Sequence, residues 1–139
     1  MMRIVLDTNV LVSALLTPCG HASRIFDGFV TGQLFLFYDA RVMLEYEGVL
    51  KRPKFGFAMT HVGQVLDLIV SQGEGIIPKR LSWAMPDDGD LPFYEVALAA
   101  EAYLISGNKR HFPEDAFVKS PKEFCDLWPL DIGVPEGRG

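Results

Sequence analysis

The sequence predicts an α/β protein with a three-layer α/β/α arrangement around a mainly parallel, twisted sheet. Two observations lead to this prediction. Short apolar runs at residues 3–6, 34–38 and 103–106 lack the polar alternation of a half-exposed strand, which is typical of strands buried on both faces of a parallel sheet. Segments with helical spacing of apolar residues separate these runs, and strands that alternate with helices favour a parallel sheet.

The first half of the chain begins with the strand at residues 3–6, which directly precedes a predicted helix at 10–16. A second helix is expected at 21–31, because apolar side chains recur there at helical spacing and Gly32 follows. The next strand covers 34–38, a bulky run without a charge.

The middle of the chain is predicted to contain two helices, a short strand and a third helix. Asp39 is a good N-cap for a helix that ends near residue 51. Apolar periodicity predicts a further helix at 60–72, and a possible edge strand follows at 75–77. An acidic turn at 86–90 leads into a helix at 92–102, whose proline is tolerated in the first turn.

The last part of the chain contains the strand at 103–106, a basic turn at 109–113, a short strand at 117–118 and a helix at 121–127. Neither repeats nor an internal linker interrupt this order. The sequence therefore predicts a single domain over residues 1–130. Residues 131–139 are rich in glycine and proline and are expected to form a flexible tail.

Composition narrows the class of protein. The 139 residues, of which 49% are hydrophobic and 22% charged, describe an ordinary globular domain. A net charge of −5 provides no broad basic surface, so nucleic-acid binding would depend on a local patch or a metal ion. Cys19 and Cys125 are too few for a disulfide framework or a zinc site. Without a signal peptide or an apolar run of ~18 residues, the protein is expected to be cytoplasmic, with no membrane contact.

Side chains with oxygen ligands occupy the sheet edge where this fold class binds ligands. Asp7 ends the first strand, and Glu45 lies in the second turn of the helix after the second strand. Asp90 precedes the helix that feeds the strand at 103–106, and Asn108 follows that strand. Because the carboxyl ends of parallel strands meet at one edge, we expect these side chains to lie together. Carboxylate and amide oxygens suit Mg²⁺ or Mn²⁺, so this edge is a candidate metal site.

Each of these positions also has a simpler interpretation. Asp7 and Asp90 are suitable helix N-caps, Glu45 suits a half-exposed helix position, and Asn108 suits a turn. Asp87 belongs to an acidic surface turn. The residues alone leave both interpretations open, and the metal-site hypothesis depends on the acids meeting at one edge.

Three segments, LDTNVLVSALL, EYEGVLKRPKF and DDGDLPFYEVALAAEAYLISGNKRHF, resemble the PIN-domain family in their order and separation. The resemblance extends from residue 3 to about 128, and it is best to the branch described as toxins of toxin–antitoxin pairs. It implies a PIN-like fold and a metal-dependent endoribonuclease. Such an enzyme is a hydrolase that cleaves phosphodiester bonds of single-stranded RNA with Mg²⁺ or Mn²⁺.

The resemblance also implies site residues. The catalytic, metal-binding acids fall on Asp7, Glu45 and Asp90, and the fourth metal position falls on Asn108. The positions that would support the site are Asn9, Ser106 and Asp87, the last by holding a second ion through water. Asn108 departs from the commonest pattern, which has aspartate there. Because an amide adds no negative charge, metal affinity is expected to fall and a second metal is disfavoured.

RNA contacts and partners complete the hypothesis. The basic residues expected to steer phosphates are Arg41, Lys51, Arg52, Lys109, Arg110 and His111. The alternative for these residues is a solvated helix end and loop. The family likeness implies a cognate antitoxin on a separate chain, and the aromatic segment 55–57 is a candidate homodimer contact.

Three other functions compete with the nuclease hypothesis. An RNA- or protein-binding regulatory module with a degenerate metal site is favoured by Asn108 and by the low positive charge. A phospho-receiver domain would need paired acids after the first strand, whereas Asp7 stands alone there. A haloacid-dehalogenase-like phosphatase would need a second aspartate two residues later, where Asn9 stands instead.

Overall fold

The structure, a computed structural model, describes residues 1–82 and 88–133. Within them a sheet of five strands, all parallel, has the order β3-β2-β1-β4-β5. The strands are β1 (Met2–Leu6), β2 (Leu34–Tyr38), β3 (Glu74–Gly75), β4 (Tyr103–Ile105) and β5 (Val118–Lys119). The predicted α/β class with a parallel sheet is confirmed.

Six α-helices in the described residues flank the sheet in a three-layer α/β/α arrangement. They are α1 (Thr8–Leu16), α2 (His21–Val30), α3 (Ala40–Leu50), α4 (Met59–Gln72), α5 (Leu91–Ala100) and α6 (Pro121–Gly133). Short 3₁₀ helices cover Pro53–Phe55, Asp88–Asp90 and Lys109–His111. The last of these is the predicted basic turn.

The core lies on both faces of β1, the central strand of the sheet. Ile4, Val5 and Leu6 of β1 are completely buried, which explains why this strand shows no polar alternation. α5 packs against β1, β2 and β4, and it also contacts α3. Since the carboxyl ends of β1 and β4 are adjacent, the residues that follow them reach the same edge of the sheet.

A close helix contact on the sheet's flank depends on glycine. A Cβ atom added to Gly28 of α2 would lie 2.6 Å from the ring of Trp128 in α6. The buried Trp128 ring thus occupies the space that a side chain at position 28 would need. The absence of a side chain at this position lets α6 pack directly on α2.

Several helix boundaries differ from the sequence prediction by one or two residues, and two differences concern the site and the end of the chain. α1 begins at Thr8 and not at residue 10, because Asp7 caps the helix with its own carboxylate. α6 continues to Gly133, beyond the expected end at residue 127, and the flexible tail stays a prediction. Residues 134–139, and the acidic-turn residue Asp87, lie outside the described residues.

Candidate metal and phosphate site

One cleft at the carboxyl edge of the sheet collects the predicted site residues. It has a volume of about 150 Å³. Its lining comprises Asp7, Thr8, Asn9, Glu45, Gly89, Asp90, Phe93, Asn108 and His111. The structure thus brings together the four predicted metal-binding positions, the predicted supporting residue Asn9, and one of the predicted RNA contacts, His111.

Asp7 is buried at the base of this cleft and is held from two sides. Its Oδ1 accepts a hydrogen bond from the backbone N–H of Thr8 at 2.8 Å, as the N-cap of α1. Its Oδ2 accepts one from the hydroxyl of Ser106 at 2.7 Å. Asp7 can therefore cap α1 and line the cleft at the same time, because both roles use a carboxylate that is fixed in one orientation.

Ser106 links the ends of two strands. This completely buried residue follows β4, and its Oγ accepts a hydrogen bond from the backbone N–H of Asn108 at 2.9 Å while it donates to Asp7. The same hydroxyl therefore orients the carboxylate of Asp7 and the turn that carries Asn108. The supporting role of Ser106 stays a prediction, and these two hydrogen bonds are its geometric basis.

Tyr46 does not line the cleft, but it contacts the end of the strand that leads to Asp7, a role that the sequence did not predict. Its ring is completely buried, and its hydroxyl donates to the carbonyl of Leu6, the residue before Asp7, at 2.5 Å. Burial, with the nearby charge of Asp7, raises the pKa of Tyr46 well above its usual value, so the phenol stays neutral and acts as a donor. Tyr46 thereby ties α3, which carries Glu45, to the end of β1.

Asp90 occupies the N-cap position of α5 but makes no capping hydrogen bond with its side chain. Its Oδ2 instead lies 3.2 Å from Nδ1 of the half-buried His111. The interpretation of Asp90 as a simple helix cap is therefore not supported by the structure. The contact joins two residues that both line the cleft.

The donor chemistry of the cleft fits a hard divalent cation, because its oxygens come from carboxylates and an amide. Thr8 adds a buried hydroxyl that has no hydrogen-bond partner among the described groups. Within residues 1–82 and 88–133, however, no three histidine, cysteine, aspartate or glutamate side chains are gathered closely enough to hold a metal ion. Glu45 is exposed, so of the three acids it is the least confined by its surroundings.

Arg41 does not line the cleft and is paired with two acids, so its expected contact with RNA stays a prediction that would require these pairs to open. Its Nε and Nη2 donate to Oδ2 of Asp39 at 2.9 and 2.7 Å, and its Nη1 donates to Oε1 of Glu95 at 2.7 Å. Burial lowers the pKa of Arg41, but the hydrogen bonds with Glu95 and Asp39 outweigh that effect and raise it. Two carboxylates already neutralise this guanidinium.

Glu95 is a buried acid that sequence reasoning missed. It lies on α5 with its side chain fully covered, and its second carboxylate oxygen accepts the backbone N–H of Leu81 at 2.5 Å. Asp39, also buried, caps α3 by accepting from the N–H of Val42 at 2.9 Å. Sequence alone offered no signal for this cluster, because its two main partners, Arg41 and Glu95, are 54 residues apart.

The other predicted RNA contacts divide into paired and unpaired side chains. Lys51 forms an exposed ion pair with Glu47, and Lys109 forms one with Glu123. Hydrogen bonds from Lys109 and from the Ser120 backbone lower the pKa of Glu123 to about 2. Arg52 and Arg110 are exposed, and neither pairs with a carboxylate of the described residues. Of the six predicted contacts, these two have the most available charge.

The aromatic segment 55–57, the candidate homodimer contact, is partly covered. Phe55 and Phe57 are half-buried, and their rings stack with centroids 5.9 Å apart. Lys54 lies over the ring of Phe55 at 5.1 Å. The two rings therefore offer less apolar surface to a second copy of the chain than the sequence indicated.

Comparison with known proteins adds three findings. The family model described as PIN domain matches residues 3–110. The uncharacterized protein MJ1680 of Methanocaldococcus jannaschii is 26% identical over 110 residues, which cover 77% of this chain and 71% of that protein. A chain in the crystal structure of VapBC2 from Rickettsia felis, bound to a DNA fragment from their promoter, matches with a TM-score of 0.52. That match has 19% identity and covers 79% of this chain and 93% of the other.

The helices give no sign of a membrane span. None of those in the described residues combines the length and the apolar character needed to cross a bilayer.

Proposed function

Because this chain belongs to the PIN domain family, whose members are generally nucleases, we propose that it is a metal-dependent endoribonuclease acting on single-stranded RNA. Hydrolysis of a phosphodiester bond would take place at the cleft formed by the ends of β1 and β4. The single observation that carries the proposal is that Asp7, Glu45, Asp90 and Asn108 line this one cleft.

The proposed cofactor is Mg²⁺ or Mn²⁺, with Asp7, Glu45 and Asp90 as the charged ligands and Asn108 as a neutral one. A divalent ion would supply a water of lowered pKa and would neutralise charge on the phosphate. Asn108 contributes oxygen but no charge, so we expect weak metal binding. Asp87, outside the described residues, is proposed to hold a second ion through water.

The chain's own residues prepare this site before any ligand arrives. Ser106 and the N–H of Thr8 fix the carboxylate of Asp7, so little side-chain entropy is lost when it binds a ligand. The buried side of the cleft excludes water behind Asp7, which strengthens electrostatic interactions there. Protonated His111, beside Asp90, would present a positive charge to an incoming phosphate.

RNA is proposed to approach along the exposed cations that flank the cleft. Arg110 immediately precedes His111, which lines the cleft, and Arg52 is exposed beyond the end of α3. Lys51 and Lys109 would first have to leave Glu47 and Glu123, and exposed ion pairs of this kind are weak. With a net charge of −5, binding should be local and strongly dependent on salt.

Partners are proposed on the family likeness. We propose that the protein is the toxin of a toxin–antitoxin pair, with an antitoxin on a separate chain, and that it acts in the cytoplasm. The structural match to a VapBC2 chain supports this proposal through the fold. A homodimer is also proposed, and light scattering of the purified protein at high concentration tests it directly.

The decisive experiment is cleavage of an end-labelled single-stranded RNA with Mg²⁺, with Mn²⁺ and with EDTA. Wild-type protein should cleave only with metal, and Asp7→Asn should lower the rate by roughly a hundredfold or more, because a metal ligand loses its charge. Asp27→Asn, the same chemical change at an exposed position of α2, is the matched control and should cleave normally. Equal cleavage by Asp7→Asn would identify a contaminant and refute the proposal.

A second candidate function is a binding module with a degenerate metal site. Two observations favour it: Asn108 in place of an acid, and acids that are not gathered around one point in the described residues. This alternative predicts RNA or protein binding without turnover in any metal. Cleavage that appears only after Asn108→Asp would support it.

A further inference from the structure

We propose that Arg41 and Glu95 form a positioning brace that sets the gap between α3 and α5 and thereby places Glu45 and Asp90 in the cleft. The inference rests on the proposed function, since it concerns the same metal site. Neither residue lines the cleft, so both act through the helices that carry the two acids.

The brace joins three parts of the chain. Nη1 of Arg41, on α3, donates to Oε1 of Glu95, on α5, at 2.7 Å. The other oxygen of Glu95 accepts the N–H of Leu81, in the segment that leads to the acidic turn. Arg41 is fixed in turn by the buried Asp39, which caps α3. The carboxylate of Glu95 on α5 therefore contacts both α3, which carries Glu45, and Leu81, which precedes Asp90 in the chain.

The brace lies close to the acids along both helices. Glu45 follows Arg41 by four positions on α3, roughly 6 Å along the axis and on the same face. Asp90 precedes Glu95 by five positions at the start of α5, roughly 7.5 Å along the axis. A contact between Tyr46 and Phe93, with ring centroids 6.1 Å apart, packs the same two helices together. A shift at the brace is thus transmitted to the acids over about one helical turn.

Charge explains why such a brace is needed. Glu45 and Asp90 line one cleft with Asp7, and like charges close together repel each other when no cation is present. An attractive pair one turn away opposes the separation of the two helices. An ion pair that is largely buried contributes little net stability compared with apolar residues of the same size, so the effect expected of this pair is on the position of the two helices and not on the stability of the core.

Binding of Mg²⁺ alone, measured by calorimetry, tests the brace without any reference to activity. Glu95→Asp keeps the charge and both oxygens but is one methylene shorter, and Glu95→Gln keeps the length but removes the charge. Both should weaken Mg²⁺ binding about tenfold, as changes to the residues that orient metal ligands do. Arg41→Lys, which loses the planar fork, should give the same loss.

Glu47 provides matched controls on the same helix. It lies two positions from Glu45 and forms an exposed pair with Lys51, so Glu47→Asp and Glu47→Gln repeat the chemistry without touching the brace. Both should bind Mg²⁺ within about twofold of wild type. Urea unfolding must show that every variant is folded under the binding conditions. Folded Glu95→Asp and Arg41→Lys proteins with wild-type Mg²⁺ affinity would overturn the proposal.

A cycle of variants in EDTA provides a readout that needs no metal. Repulsion between Glu45 and Asp90 should make Glu45→Gln and Asp90→Asn non-additive, by more than about twofold in the unfolding equilibrium constant. In the Glu95→Asp background, where the brace is broken, the two substitutions should become additive. Additivity in the wild-type background, or equal coupling in both backgrounds, would overturn the brace.

These measurements separate the brace from the proposed function. If wild-type protein cleaves no RNA but the cycle and the Mg²⁺ affinities change as expected, the brace stands and the ribonuclease proposal fails. If wild-type protein binds no Mg²⁺, the metal proposal fails and the cycle in EDTA decides about the brace. If Asp7→Asn abolishes cleavage while both brace tests show no effect, only the brace is refuted.

Discussion

Replacing Ser106 with alanine would remove the hydroxyl that connects Asp7 to the turn of Asn108. The side chain is completely buried, so water does not replace the lost partners without a rearrangement. One lost hydrogen bond joins Oγ to the carboxylate of Asp7 at 2.7 Å, and the other joins the N–H of Asn108 to Oγ at 2.9 Å. A bond to a charged group contributes about 1.5–3 kcal/mol and a neutral one about 1 kcal/mol, so Ser106→Ala should lower the free energy of unfolding by about 2.5–4 kcal/mol.

Urea unfolding in EDTA, followed by circular dichroism, measures this loss. Ser71→Ala is the matched control, because the exposed Ser71 hydroxyl makes only a 3.3 Å bond to the carbonyl of Leu68. The control should change the free energy of unfolding by less than about 0.5 kcal/mol. A Ser106→Ala protein as stable as that control would refute the reasoning, since Asp7 would then need no support from Ser106. Under the proposed function, Ser106→Ala should also lower the rate of RNA cleavage.

Three further predictions concern other parts of the chain. Thr8→Val keeps the shape of the side chain but removes a buried hydroxyl that has no described hydrogen-bond partner. Urea unfolding should therefore show an unchanged free energy of unfolding or a gain of up to about 1 kcal/mol, and a loss would reveal a structural partner of this hydroxyl. Gly28→Ala should cost about 1–3 kcal/mol through its clash with the Trp128 ring, whereas Gly48→Ala, with nothing within 4 Å, should stabilise α3. The pKa of Glu123 is about 2 in the folded chain against 4.5 for a free glutamate, so its contribution to stability is present above pH 4.5 and is lost as the pH falls towards 2. The free energy of unfolding of wild type should therefore exceed that of Glu123→Gln at pH 6, and the difference should disappear by pH 2. A difference that stays constant with pH would contradict this prediction.

The fold was predictable because its signals are local. The apolar run that became β2, residues 34–38 in the prediction and Leu34–Tyr38 in the structure, needs no partner to be recognised. Asp39 was recognised as a cap because its bond to the N–H of Val42 spans only three positions. The cleft followed from the rule that the ends of parallel strands meet, which places Asp7 and Asn108 together from opposite parts of the chain.

The unpredicted features depend on partners that are distant in sequence. Tyr46 was not predicted to support the site, because it lies on the buried face of α3 and its hydroxyl donates to a carbonyl 40 positions earlier in the chain. Arg41 was named as an RNA contact because it is one of the basic residues expected to surround the acidic site. Its two acidic partners include Glu95, which occurs in the otherwise apolar helix α5. The spacing of residues along one helix shows which side chains share a face, but it does not show which charged residues of other helices contact that face.

The sheet ends on both sides in strands of only two residues, β3 and β5. An outer strand with a long row of free backbone groups invites pairing with another polypeptide and growth into a continuous sheet. Here each border presents little backbone and carries a charged residue, Glu74 on one side and Lys119 on the other. Among the residues that the structure describes, strand addition at the margins is therefore a poor route to self-association.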